Sequence, residues 1–204
     1  MHVTIAMLTY RRNEYLAQVI PHLLEQVAEF SGPNKSAGIL IIDNDPQGGA
    51  RAVVESAQEV EAAQMAERAK SAGAAELPEV SRLAYVHEPE PGIVAGRNRA
   101  LERAHGTNAL VFIDDDEIPA PGWLTALVST WRSQGSAAVT GPTPPAFEAD
   151  PSPWVSASGA FDSWEAADGA QVPSADTGNL LLDLRLIERL GLRFDPRYGL
   201  TGGE

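Results

Sequence analysis

Short apolar runs alternate with segments whose apolar residues recur at helical spacing along most of this chain. Val3 to Leu8 (VTIAML) reads as a first strand. Leu16, Val19, Ile20, Leu23, Leu24 and Val27 then fall three or four apart, which puts them on one face of a helix. Asn13 is its expected cap, and Pro21 is expected to kink it or to mark a late start. Ile39 to Ile42 (ILII) lacks polar alternation, as a strand buried on both faces should, and stops at Asp43, Asn44, Asp45 and Pro46. An Ala- and Glu-rich helix is expected from about Ala50 to Ala72, ahead of the connector AGAAELPE. Leu83 to Val86 gives a third strand. The turn Glu90, Pro91, Gly92 leads to a helix through Arg97, Asn98 and Leu101, with Gly106 expected to close it. After the apolar run that starts at Ala109, a helix carries Trp123, Leu124, Leu127, Val128 and Trp131 on one side, and Ala137 to Thr140 makes a further strand. This alternation predicts an α/β fold with a mainly parallel central sheet flanked by helices.

Beyond Gly141 the pattern breaks. Pro142, Pro144, Pro145, Pro151, Pro153 and Pro173 are interleaved with Trp154, Phe161 and Trp164 as far as Asp176. So many prolines keep the stretch out of the sheet, and its aromatics suit either a loop that closes over bound ligands or a cover for the sheet. Order returns at Thr177 to Leu182, followed by a short helix ending near Gly191 and then FDPRYGLTGGE. The expectation is one domain over 1–204, divided near residue 140.

The densest chemistry lies in ALVFIDDDEIPAPGWL, where an apolar strand stops at Asp114, Asp115 and Asp116. Open α/β sheets bind ligands just outside the carboxyl ends of their strands, so these carboxylates are expected to face a crevice. Like charges so close raise one another's pKa, and a hard divalent cation with oxygen ligands, Mn2+ or Mg2+, would relieve them. The plainer alternative is that Asp116 and Glu117 favour the N-terminus of the helix after Pro121.

Charge and composition narrow the partners. The net charge of −13 argues against nucleic acid or an anionic membrane surface, and means that an anionic ligand needs local cations or a metal. The absence of cysteine excludes disulfides, thiolate zinc sites and a cysteine nucleophile, and suits a reducing compartment. The four histidines, His2, His22, His87 and His105, show no ligand spacing. No apolar run has the length of a transmembrane segment, so a cytoplasmic protein is expected.

The succession TYRRNEYL, IIDND, PGIVAGRNRAL, FIDDDEIPAPGWL, TGNLLL and FDPRYGLTGGE resembles the inverting family-2 glycosyltransferases of the GT-A fold, over essentially the whole chain. That resemblance implies a nucleotide-diphosphate sugar donor, with a UDP-sugar expected, and a sugar, lipid-linked or small-molecule acceptor. It also implies a nucleotide-sugar-binding half over 1–140 and an acceptor-side half over 141–204. Thr9, Tyr10 and Arg11 fall where the family's first strand meets the nucleoside, and Asp43 and Asn44 where a side chain reads the base. Gly92, Arg97 and Asn98 fit the Gly-x-x-x-x-Arg-Asn segment that lies against the donor. Asp114, Asp115 and Asp116 fill the Asp-x-Asp region, with Asp116 on the metal, Asp114 able to share it, and an earlier aspartate near the ribose.

Each residue also has a plainer reading. Arg97 would be a surface arginine paired with Glu102 or Glu90, Asn98 a cap, Asn179 a turn residue, and Asp43 to Pro46 a loop initiator. The family's Gly-Gly-Glu is normally followed by an aspartate, and this acidic pair supplies the general base. Here Glu204 is last, so either Glu204 is the base or the base and much of the acceptor site follow it; the second is expected. A non-catalytic nucleotide-sugar-binding module is the alternative function. A sugar nucleotidyltransferase would want a Gly-rich loop after the first strand, and LTYRRNEYL has no glycine.

Overall fold

The structure is a computed structural model and describes residues 1–72, 81–147, 149–159, 161 and 166–198. Six strands form one sheet: β1 (His2–Thr9), β2 (Ser36–Asp43), β3 (Leu83–His87), β4 (Ala109–Asp114), β5 (Ala138–Thr140) and β6 (Asn179–Asp183), in the order β3-β2-β1-β4-β6-β5. β1 pairs in parallel with β2 and β4, and β2 in parallel with β3. β6 runs antiparallel between β4 and β5, an insertion that chain order does not announce. Thr9 stands opposite Asp43, Asp43 opposite His87, and Leu8 opposite Asp114. Four polar strand ends are therefore aligned along one rim.

Alternation along these strands sorts side chains to two faces. Val3, Ile5, Met7, Ile39, Ile41, Val111 and Ile113 pack beneath α1 (Asn13–Phe30), α2 (Arg51–Ala72) and α4 (Trp123–Gln134). Ala6, Leu40, Ile42, Leu110 and Phe112 meet α3 (Ile93–Arg103) and Leu184 of α6 (Leu184–Leu190). Burying each such large apolar side chain contributes about 1.5–3 kcal/mol before conformational entropy is set against it. Gly96 lets α3 sit tight on the sheet, since a Cβ there would lie 2.7 Å from Leu8 Cδ2.

Three local expectations change. α1 starts at Asn13 and continues through Pro21, so the proline marks no late start; the Ala17 carbonyl that loses its partner is on an exposed turn, where water can satisfy it. Asn13 is the first helical residue rather than the cap, and its Nδ2 donates to the Gly49 carbonyl at 3.0 Å. α3 ends at Arg103 with Ala104 as its cap, and Gly106 follows in the turn at φ 83°.

The proline-rich stretch stays out of the sheet, and within it only α5 (Pro153–Ser158) is helical among the described residues. Ala166, Gly169 and Val172 line a cavity of about 990 Å³ with Leu127, Gln134 and Val139, so this part covers α4 and the β5 edge. Phe147 and Phe161 stack edge to face at 5.6 Å, and Trp154 is 74% exposed. No helix among the described residues is long and apolar enough to cross a membrane.

Candidate functional site

Three loops leave the aligned strand ends, and the first divides its two arginines between the other two. Thr9, buried at the end of β1, donates from Oγ1 to Asp115 Oδ2 at 2.8 Å. Arg11 adopts φ 57°, a left-handed conformation unusual for a side chain of its size. The turn sends Arg11 Nε to Asp45 Oδ1 at 3.3 Å and Nη2 to Gln47 Oε1 at 2.8 Å. Arg12 goes the other way: its Nη1 donates to Asp115 Oδ1 at 3.0 Å and to Asp116 Oδ2 at 2.7 Å. Tyr10 is half exposed beside them, with the Arg11 guanidinium 5.1 Å from its ring centre.

After β2 the acidic residues face inward. Asp43 is fully buried and accepts from the Asp45 amide at 3.0 Å, the Ala50 amide at 2.9 Å and the Tyr85 hydroxyl at 2.9 Å. Burial, then the bond to Asp43, pushes the Tyr85 hydroxyl up to about 12. Asn44 Nδ2 donates to the Glu88 and Glu90 carbonyls at 2.9 and 2.6 Å, while Oδ1 accepts from the Gly92 amide at 2.8 Å. These bonds give both residues the loop-forming role that was their plainer reading. Gly92 itself, at φ 122°, turns the chain into α3.

Arg97 and Asn98 point to different places. Asn98 Nδ2 donates to the Phe194 carbonyl and Oδ1 accepts from the Phe194 amide, each at 2.9 Å, so it fastens the C-terminal segment to α3. Arg97 is half-buried, donates from Nη2 to Thr177 Oγ1, and lies in the field of Asp114 and Asp176. Burial lowers its pKa, with the two carboxylates opposing that shift. The ion pairs with Glu88 and Glu102, at 2.7 and 2.9 Å, belong to Arg99 instead.

Beyond β4 the carboxylates are crowded and incompletely neutralised. Asp114 is raised above the usual aspartate range by burial, with Asp116, Asp176 and Asp115 adding to the shift and Arg97 opposing it. Glu117 is pushed up to about 7, again chiefly by burial, and it rests so close to Gly178 that a Cβ there would lie 2.5 Å from Oε1. Asp115 is fixed and nearly inaccessible; the Asp116 side chain is 49% exposed.

Among the described residues, no three acidic or histidine side chains are drawn together to enclose a cation. Mg2+ or Mn2+ bound to a diphosphate needs only one or two carboxylates, the remaining ligands being phosphate oxygens and water. The half-exposed Asp116 fits that requirement, and the carboxylates around buried Asp114 carry the charge that a cation would offset. A larger cavity, about 1410 Å³, lies between α1 and α2 near Ile118 and Pro119 and is mainly apolar.

Sequence reasoning thus picked out Thr9, Asp114, Asp115, Asp116 and Arg97, which converge. It did not single out Arg12, Asp176 and Thr177, which stand among them, and it read Glu117 only as a helix-start acid. A signal for Arg12 was present: adjacent arginines at a strand end in a chain of net charge −13 need acidic partners. Glu204 and Trp164 lie outside the described residues.

Comparison with known proteins places the chain in a family and its fold among solved structures. The family model described as glycosyl transferase family 2 matches residues 4–161. The chain is 29% identical to the succinoglycan biosynthesis protein ExoM of Rhizobium meliloti (strain 1021) over 205 residues, covering 100% of this chain and 59% of that protein. Its fold is similar to that of the mannosyltransferase PcManGT from Pyrobaculum calidifontis in complex with GDP-Man and Mn2+, at TM-score 0.59 and 19% identity, covering 95% of this chain and 47% of that one. It is also similar to S. aureus TarS 1-349 in complex with UDP-GlcNAc, at TM-score 0.50 and 13% identity, covering 96% and 49%. The chain therefore spans about half to three fifths of the length of these proteins.

Proposed function

The chain belongs to glycosyl transferase family 2, and on that premise we propose that it transfers a sugar from a nucleotide-diphosphate donor to an acceptor hydroxyl, with inversion and with a divalent cation on the diphosphate. The observation that carries this reading is the group Thr9, Arg12, Asp115 and Asp116 at the carboxyl ends of the parallel strands β1 and β4, where donors of this kind are expected to lie. The nucleotide sugars and Mn2+ bound by the similar structures support the same choice of ligand.

In this proposal Thr9, Tyr10 and Arg11 border the nucleoside. Asp43 and Asn44 act on the base by holding the shape of its pocket, since both carboxylate oxygens of Asp43 already accept hydrogen bonds. Asp115 is fixed by Thr9 for a contact to the ribose side. Asp116 holds Mn2+ or Mg2+, with Asp114 close enough to feel its charge. When bound, the cation supplies Lewis-acid stabilisation of the departing nucleoside diphosphate, an effect of several kcal/mol. Arg97, held by Thr177 in the field of Asp114, places a second positive charge against the donor. A base must take the acceptor proton from the face opposite the leaving group; of the two sources that the sequence leaves open, Glu204 is the one that a substitution in this chain can test.

The test is turnover of donor and acceptor, with the anomeric configuration of the product read by NMR. Inverted product, lost in Glu204→Gln with donor affinity kept, supports the reading. Donor binding without turnover would favour a non-catalytic binding module instead.

A further inference from the structure

Resting on Asp116 as the metal-bearing carboxylate, we infer that Arg12 is a built-in counter-ion for that site and yields its place to the divalent cation when donor arrives. One nitrogen, Nη1, serves both Asp115 and Asp116, and so occupies the Asp116 oxygen that a cation on this carboxylate would need. Among the described residues, Nε and Nη2 of Arg12 have no hydrogen-bond acceptor, which leaves most of the guanidinium fork unused.

Geometry decides what can move. The Arg12 carbonyl accepts from the Leu16 amide at 3.0 Å, which pins the backbone at the start of α1, and Arg11 is tied to Asp45 and Gln47. Only the Arg12 side chain is left to swing, and it is 50% exposed. Asp115 stays in place when it does, because Thr9 holds its other oxygen. Asp116 has no such second tie among the described residues, so it is the group set free for the metal. The released guanidinium carries a planar, permanently charged fork suited to two oxygens of a diphosphate. In a chain this acidic, the exchange keeps the aspartates neutralised before binding and brings a cation to the diphosphate afterwards.

Competition between Arg12 and metal is the measurable consequence. Free Mn2+ is followed by electron paramagnetic resonance as it is titrated into the unaltered chain, Arg12→Gln, Arg12→Lys and Asp116→Ala, first alone and then with GDP or UDP. Without nucleotide, Arg12→Gln is expected to bind Mn2+ about tenfold more tightly than the unaltered chain, with Arg12→Lys close to the unaltered value. With nucleoside diphosphate and Mn2+ together, Arg12→Gln is expected to bind nucleotide about tenfold more weakly, and Arg12→Lys less so. Unchanged or weaker binding of Mn2+ alone in Arg12→Gln, with Asp116→Ala abolishing it, would overturn the role of Arg12 and leave the metal assignment standing. Mn2+ binding that survives Asp116→Ala would overturn the metal assignment and this inference with it. On the unaltered protein, the Arg12 Nε signal in nitrogen-15 NMR should shift on adding Mg2+ with GDP or UDP; a signal that stays put contradicts the exchange even if the variants fail to fold.

Discussion

The loops after β2 and β4 begin with nearly the same letters, Asp43-Asn44-Asp45 and Asp114-Asp115-Asp116, and flank the same strand, β1. In the first, Asp43 is fully buried with three donors on its carboxylate, and Asn44 uses both ends of its amide on neighbouring backbone. In the second, Asp114 is raised by burial and by its neighbours, and Asp116 stands half in solvent with one arginine nitrogen for company. A carboxylate surrounded by backbone donors is a structural tie. One surrounded by other carboxylates is, in the proposed function, the group that a cation would relieve.

Breaking the first loop should unfold structure rather than remove chemistry. Asp43→Ala leaves the Asp45 and Ala50 amides and the Tyr85 hydroxyl without their acceptor, at about 1–3 kcal/mol per orphaned group and less than their sum together. A loss of about 3–5 kcal/mol in denaturant unfolding is expected. A loss under about 1 kcal/mol would mean that the loop does not depend on this carboxylate. Asn44→Ala should cost somewhat less, about 2–3 kcal/mol, because two of the three backbone groups it serves lie nearer to solvent. Thermal unfolding of the two variants side by side checks the ranking.

The smallest expected effect sharpens the other side of the comparison. Glu117 has an ordinary value of 4.5 and is pushed up to about 7 in the folded protein, so the folded state holds its proton more firmly than the unfolded chain does. Its contribution is therefore fully present below about pH 4.5 and is lost as the pH rises to about 7. In metal-free protein, Glu117→Gln should gain about 1 kcal/mol over the parent above pH 7, after allowance for partial exposure, and nothing below pH 4.5. Urea unfolding across this range reads the difference directly, and parallel profiles would show that burial does not hold the Glu117 proton in the folded state.

Much of the fold was legible because strand and helix periodicity is a local property. The apolar runs at Val3, Ile39, Leu83 and Ala109 all became parallel strands. The insertion of β6 between β4 and β5 was not legible, because antiparallel pairing across about 70 residues leaves no periodic trace in either segment. For the site, strand-terminal aspartates were visible but their division of labour was not. That division depends on the Tyr85 hydroxyl and the Ala50 amide reaching Asp43, and on Arg12 reaching Asp116 across 104 positions. Arg97 and Arg99 show the same limit: two residues apart on one helix, one turns to Thr177 and the other takes the ion pairs with Glu88 and Glu102.

The central claim is that the loop after β4 binds a nucleoside diphosphate through a divalent cation on Asp116. Calorimetric titration of GDP and UDP into the chain, in Mn2+ and then in EDTA, tests it most directly, with Asp116→Ala run alongside. Affinity is expected to fall at least about a hundredfold in EDTA and to be equally weak for Asp116→Ala in either condition, with the variant's melting temperature unchanged. Equal affinity in Mn2+ and EDTA for the unaltered chain, or full metal-dependent affinity in Asp116→Ala, would contradict the account.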